Sequence, residues 1–137
     1  MSKNGLLFMC VANSARSQMA EGLARRMAPA GVEVYSAGSA PSRINPYAVR
    51  ALAAVGLDAA SQYSKGVSDV PQAQMRWVIT LCAEEVCPIF SGDVERIHWP
   101  HPDPADATGS DAEILASFSR VRDAIEEKLS VFFAHLN

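Results

Sequence analysis

The run Leu6-Leu7-Phe8-Met9-Cys10 is apolar at every position. A half-exposed strand alternates polar and apolar residues, whereas a continuous apolar run marks a strand covered on both faces, as in parallel sheets. A turn of small and polar residues follows. Then Met19, Ala20, Leu23, Ala24 and Met27 recur at three- and four-residue spacing across a predicted helix, Ser17–Ala28. Strand, short turn and helix in that order commit the chain to an α/β architecture with right-handed crossovers.

The remaining pattern agrees. Val32–Ser36, Trp77–Cys82 and Arg96–Trp99 read as further strands. Asn45-Pro46 is an N-cap followed by proline at the first helical position, and that helix runs to Val55, with Gly56 as a left-handed C-terminal cap. A short helix is predicted over Asp69–Met75. Ser110-Asp-Ala-Glu113 is a capping box opening the longest helix, with Ile114, Phe118, Val121, Ile125, Leu129 and Phe132 on one stripe. The chain is 137 residues long and 49% hydrophobic, enough for one cored domain over residues 1–137.

Composition excludes several classes. A net charge of −3 with scattered arginines offers no nucleic-acid footprint. No run approaches the ~18 apolar residues that a membrane span needs. Nothing reads as an export signal, so the expected compartment is the cytoplasm. The cysteines Cys10, Cys82 and Cys87 are odd in number, which argues against a static disulfide framework. Cys82 and Cys87 lack C-x-x-C spacing and make no convincing ligand set with His98, His101 and His135, so no metal is expected.

In parallel sheets, ligands bind beyond the carboxyl ends of the strands. Cys10 ends the first predicted strand, Cys82 the third, and His98-Trp-Pro-His-Pro-Asp-Pro104 follows the fourth. All three segments should open on one edge. There, residues 10–17 place a cysteine, five intervening residues, then an arginine and a serine, at a helix N-terminus. Unpaired N–H groups along Val11, Ala12, Asn13, Ser14, Ala15, Arg16 and Ser17, with about half a positive charge from the helix, make an oxyanion cradle. Arg16 adds a planar fork for two oxygens. Ala12 and Ala15 keep the loop narrow, Asn13 tolerates left-handed backbone, and Ser17 could donate to the Cys10 sulfur. Free thiols titrate near ~8.5, and helix N-termini and cations favour the thiolate, so a thiolate is expected here at neutral pH.

Each of these residues also has a plainer reading. Cys10 could be a buried strand-end cysteine with Arg16 on the surface. Asp103, between two prolines, is either a solvated turn aspartate or a general acid that protonates a departing oxygen. Cys82 and Cys87 are either small apolar fillers or a redox pair that relays oxidation away from Cys10. His98, Trp99 and His101 read as lining or packing residues.

Cys10-Val-Ala-Asn-Ser-Ala-Arg-Ser-Gln-Met-Ala-Glu21 resembles the phosphate-binding loop of the low-molecular-weight protein tyrosine phosphatases, and more closely that of their arsenate reductase branch. Tyr35-Ser-Ala-Gly38 and Asp103-Pro104 match in the same order, so the resemblance covers nearly the whole chain. It implies three layers, a four-stranded parallel sheet flanked by helices with flavodoxin-like winding. It implies Cys10 as nucleophile, Arg16 as oxyanion binder, Ser17 as thiolate stabiliser, Asp103 as general acid and Cys82 as second redox cysteine, with Cys87 completing the relay. The implied reaction is reduction of arsenate to arsenite, with phosphate or sulfate as competing anions. The resemblance implies no bound cofactor and an external thiol reductant, thioredoxin or glutathione with glutaredoxin.

Two features favour reductase over phosphatase. The phosphatases typically place tyrosines just after Asp-Pro to stack on a phosphotyrosine ring, and here Ala105-Asp106 follow. The phosphatases also do not require Cys82 and Cys87. An anion-sensing module without turnover is a third alternative. Some family members hold potassium with residues that match Asn13, Glu21 and Ser36 together with an acidic side chain. Lys65 falls at or near that acidic position, so no potassium is expected.

Overall fold

The computed structural model describes residues 3–83 and 88–136. Four strands, β1 (Gly5–Cys10), β2 (Glu33–Gly38), β3 (Met75–Thr80) and β4 (Glu95–His98), form one parallel sheet in the order β2-β1-β3-β4. The long helices are α1 (Arg16–Met27), α2 (Pro46–Ala53) and α3 (Asp111–Ala134).

β1 is central and wholly buried, as its unbroken apolar run requires. Successive side chains point to opposite faces. Leu6 and Phe8 join the larger core with Met19, Leu23, Leu52, Phe118, Ile125 and Leu129 from the three helices. Leu7 and Met9 meet Ala37, Val70, Met75, Val78 and Phe90 on the other face. Each fully buried side chain of this size contributes about 1.5–3 kcal/mol relative to exposure. None of the helices described is long and apolar enough to cross a membrane.

The signals at the helix ends behave as their chemistry dictates. Asn45 Oδ1 accepts from Tyr47 N at 2.8 Å above Pro46, and the Ser110–Glu113 capping box forms in both directions. Gly56 takes a φ of +83° just beyond α2. The expected helix over Asp69–Met75 is absent. Two 3₁₀ turns, Val67–Asp69 and Gln72–Gln74, stand there instead. Pro71 lies between them; it lacks an N–H and pushes Val70 into extended backbone with ψ 154°. β3 accordingly begins at Met75, two residues before the expected start. The chain leaves the strand after Thr80, although Leu81 still donates to Met9 O at 3.0 Å.

Candidate active site

The carboxyl ends of β1 and β3 and the segment after β4 converge. The loop after β1 and the segment after β4 close a cavity of about 280 Å³ lined by Cys10, Ala12, Ser14, Arg16, Asp103 and Ala105, among others.

Residues 11–15 wrap one side of this cavity. The carbonyls of Val11, Ala12 and Ser14 accept from the backbone N–H groups of Ala40, Ser42 and Asn45 at 2.9, 3.2 and 2.9 Å. Those bonds tie the loop's oxygens to the 40–45 segment. Asn13 takes a left-handed φ of +49°, which asparagine tolerates. α1 starts at Arg16 behind Ala15, which has no side chain able to cap it. The first-turn amides are therefore available to an anion.

The sulfur of Cys10 lies 2.8 Å from Ser17 Oγ. Asn13 Nδ2 donates to the same hydroxyl at 2.8 Å. The Ser17 hydroxyl is thereby held between Asn13 and the sulfur, where it can donate to a Cys10 thiolate. Cys10 is a buried free cysteine. Asn13 is itself pinned: Gln18 Nε2 donates to its backbone and side-chain oxygens at 3.0 Å each, and Lys65 N donates to its Oδ1 at 2.9 Å.

Arg16 is 3% exposed. Its Nη1 donates to the carbonyls of His101 at 2.9 Å and Leu81 at 3.4 Å. Its Nη2 lies 3.7 Å from Asp103 Oδ2. Asp103 Oδ1 accepts from Ala105 N at 3.0 Å and caps the Pro104–Asp106 turn. One carboxylate oxygen thus holds its own turn while the other faces Arg16. Pro102 and Pro104 restrict this approach on both sides.

Cys82 follows Leu81, whose carbonyl Arg16 grips, and it is buried and disulfide-bonded. Cys87 lies outside the described residues. The histidines are bound to different partners. His98 Nδ1 pairs with Thr80 Oγ1, His101 Nδ1 donates to Trp99 O, and His135 Nδ1 donates to Val131 O, each at 2.8 Å. Burial holds the His101 imidazole below its ordinary value, and the positive charges of Lys128 and Arg16 act the same way. The hydrogen bond to Trp99 O opposes this shift without reversing it.

The sequence named Gly38 and Gln18 only within motifs and Lys65 only at a family cation position, and did not give their part in supporting the loop. Gly38 ends β2 against it, and a Cβ there would collide with the carbonyl oxygen of Val11. The Lys65 ammonium lies 3.5 Å from both Glu21 Oε1 and Ser36 Oγ and donates to Tyr63 O at 2.9 Å. Glu21 also accepts from Ser36 Oγ and, at 3.1 Å, from Arg25 Nε. With an ammonium already among these oxygens, the residues do not fit a further cation.

The family described as low molecular weight phosphotyrosine protein phosphatase matches residues 5–137. An arsenate reductase from Halalkalibacterium halodurans is 40% identical over 134 residues, 96% of each chain. Among solved structures, an arsenate reductase in the phosphate binding state superimposes with a TM-score of 0.81 at 28% identity, over 100% of both chains. A thioredoxin-dependent arsenate reductase from Corynebacterium glutamicum gives 0.65 at 26% identity, over 96% of this chain and 64% of that one.

Proposed function

We propose that this chain, which belongs to the low molecular weight phosphotyrosine protein phosphatase family, reduces arsenate to arsenite with electrons from an external thiol. One observation carries this reading over simple phosphatase chemistry. Arg16, the oxyanion-binding cation, donates to the carbonyl of Leu81, the residue directly before Cys82. The backbone that leads into a second cysteine is thereby tied to the guanidinium of a cradle built for a tetrahedral anion.

In this reading the Cys10 thiolate attacks arsenic(V), and Asp103 protonates the departing hydroxide. The loop amides of Val11 to Ser17 and the Arg16 guanidinium hold the resulting thioarsenate. Cys82, as a thiolate, then attacks the Cys10 sulfur. A Cys10–Cys82 bond forms, the sulfur–arsenic bond breaks, and its electron pair leaves with arsenic as arsenite. Cys87 attacks Cys82 in turn, releasing Cys10 as a thiolate. The free Cys10 and disulfide-bonded Cys82 match the state in which such a cycle ends.

The reductant that reopens the cycle is thioredoxin, by analogy with the thioredoxin-dependent relative. Glutathione with glutaredoxin is the alternative donor. Either would operate in a reducing compartment such as the cytoplasm. Phosphate and sulfate, of the same shape as arsenate, should compete for the cradle. Ala105 on the cavity wall gives no aromatic surface for a phosphotyrosine ring.

Cys82→Ser should abolish multiple-turnover arsenate reduction with either donor system while leaving slow hydrolysis of an aryl phosphate. Undiminished reduction by that variant would eliminate the relay. Robust turnover of a phosphotyrosine peptide without arsenate reduction in the parent protein would establish the phosphatase alternative.

A further inference from the structure

Lys65 is a charged residue buried away from solvent, and the reaction above does not use it. It is 8% exposed, Glu21 2%, and Ser36 and Asn13 are fully buried. Removing a charge from water costs several kcal/mol unless partners compensate. Here the compensation is specific. The ammonium is anchored on Glu21 from α1, Ser36 from β2 and the carbonyl of Tyr63. Tyr63 also places its ring under the cation, 4.6 Å from Nζ to the centroid.

The main chain of the same residue faces the catalytic loop. Lys65 N donates to Asn13 Oδ1 at 2.9 Å, and Lys65 O accepts from Gly38 N at 3.0 Å. Gly38 is the residue that packs directly on the loop backbone. From Asn13 the chain of contacts continues through Ser17 Oγ to the Cys10 sulfur. The side chain of Lys65 thus fixes where its backbone N–H stands. That N–H holds the Asn13 amide, and the amide nitrogen holds the Ser17 hydroxyl beside the sulfur.

We propose that Lys65 is a positioning residue for the nucleophile, a built-in cation whose ammonium, held by Glu21 and Ser36, locks the Asn13–Ser17 relay onto Cys10. This rests on the assignment of Cys10 as nucleophile. The charge matters as well as the shape. A neutral side chain of similar length would leave Glu21 short of one cationic partner and free the 63–66 segment to shift.

The test reads Cys10 directly, apart from any arsenate turnover. The full chain is alkylated with iodoacetamide across a pH series, and modification of the Cys10 peptide is followed by mass spectrometry. In the parent protein, alkylation that persists well below the range of an ordinary thiol supports the nucleophile. An ordinary thiol profile removes that assignment whatever Lys65 does. Lys65→Met should move the midpoint upward by about one pH unit, which slows alkylation about tenfold on the acidic side. It should lower kcat for arsenate by about the same factor, with KM changing less. Lys65→Arg, which keeps the cation, should restore most of the profile.

The parent profile should also be the same in potassium chloride and choline chloride. A folded Lys65→Met protein with an unshifted profile overturns the proposal. So does an equal deficit in Lys65→Arg, or a potassium requirement in the parent. If Lys65→Met does not fold, Ser36→Ala removes one anchor of the ammonium. It should shift the midpoint in the same direction by less, and no shift there overturns the proposal.

Discussion

Two walls meet at Arg16, and they are built differently. The loop from Cys10 to Ser17 is held from behind through its carbonyls and side chains, which leaves its amides to the anion. Its carbonyls are bonded to the 40–45 segment, its asparagine to Gln18 and Lys65, and its serine to Asn13. The facing wall, from Trp99 to Asp106, is tied only at its start, where Trp99 N and His101 N donate to the carbonyls of Thr80 and Leu81 at 2.8 and 3.1 Å, while its tip from Pro102 to Asp106 is held by bonds within its own turn and by the ion pair with Arg16. It is shaped by Pro100, Pro102 and Pro104 and by the bond from Ala105 N to Asp103. The Asp103 side chain is 31% exposed, against 4% for Arg16. The difference separates two tasks. Stabilising a charged transition state needs donors that do not reorganise, so that wall is buried and cross-braced. Delivering a proton needs a carboxyl group that can exchange with solvent, so that wall stays partly open.

The sharpest way to break this picture is at Arg16, which belongs to both walls. Lysine would keep a positive charge but lose the fork that reaches the His101 and Leu81 carbonyls while facing Asp103. Arg16→Lys should reduce kcat/KM for arsenate by about a thousandfold, the scale seen when a preorganised oxyanion donor is removed. A loss below tenfold would mean that charge alone suffices and that the shared geometry is incidental.

Asp103→Asn probes the open wall alone. The amide oxygen can still accept from Ala105 N, so the turn should survive while the proton donor is lost. The expected fall in kcat is about a hundredfold, toward the low end for general acids, because hydroxide leaving arsenic is assisted and not wholly dependent. Single-turnover kinetics of thioarsenate formation would measure it. An unchanged rate would reduce Asp103 to a turn-forming residue.

The same contrast explains what could be read before the fold was known. Cys10, Asn13, Arg16 and Ser17 were legible because a strand end, a turn and a helix N-terminus place them by local geometry. Asp103 was legible from its prolines and from the rule that ligands gather at one sheet edge. The resemblance alone put Lys65 beside Asn13, Glu21 and Ser36, and no local pattern gave the role of Lys65 or Gly38, because those roles depend on partners far away in sequence. Lys65 bonds Asn13 across 52 positions, and no local pattern announces that contact. The helix expected over Asp69–Met75 failed for a local reason, since Pro71 interrupts it. The start of β3 moved with it. Continuous apolar runs fix that a strand exists better than they fix where it begins.

A smaller effect distinguishes the walls by pH. The loop is braced largely by amides, hydroxyls and backbone groups that do not titrate near neutrality, whereas the facing wall contains the buried imidazole of His101. Burial keeps its folded value below the ordinary value of about 6.5, so the unfolded chain binds the proton more readily. The stability this group contributes is complete above that ordinary value and is lost as pH falls through it toward the folded one. In His101→Asn the amide nitrogen can still donate to Trp99 O, but nothing titrates. The variant should therefore have a lower Tm than the parent at neutral pH, and the gap should narrow by a few degrees in mildly acidic buffer. Parallel Tm curves for the two proteins across that range would show that His101 is solvated or paired on protonation. The second wall would then be no more acid-sensitive than the first.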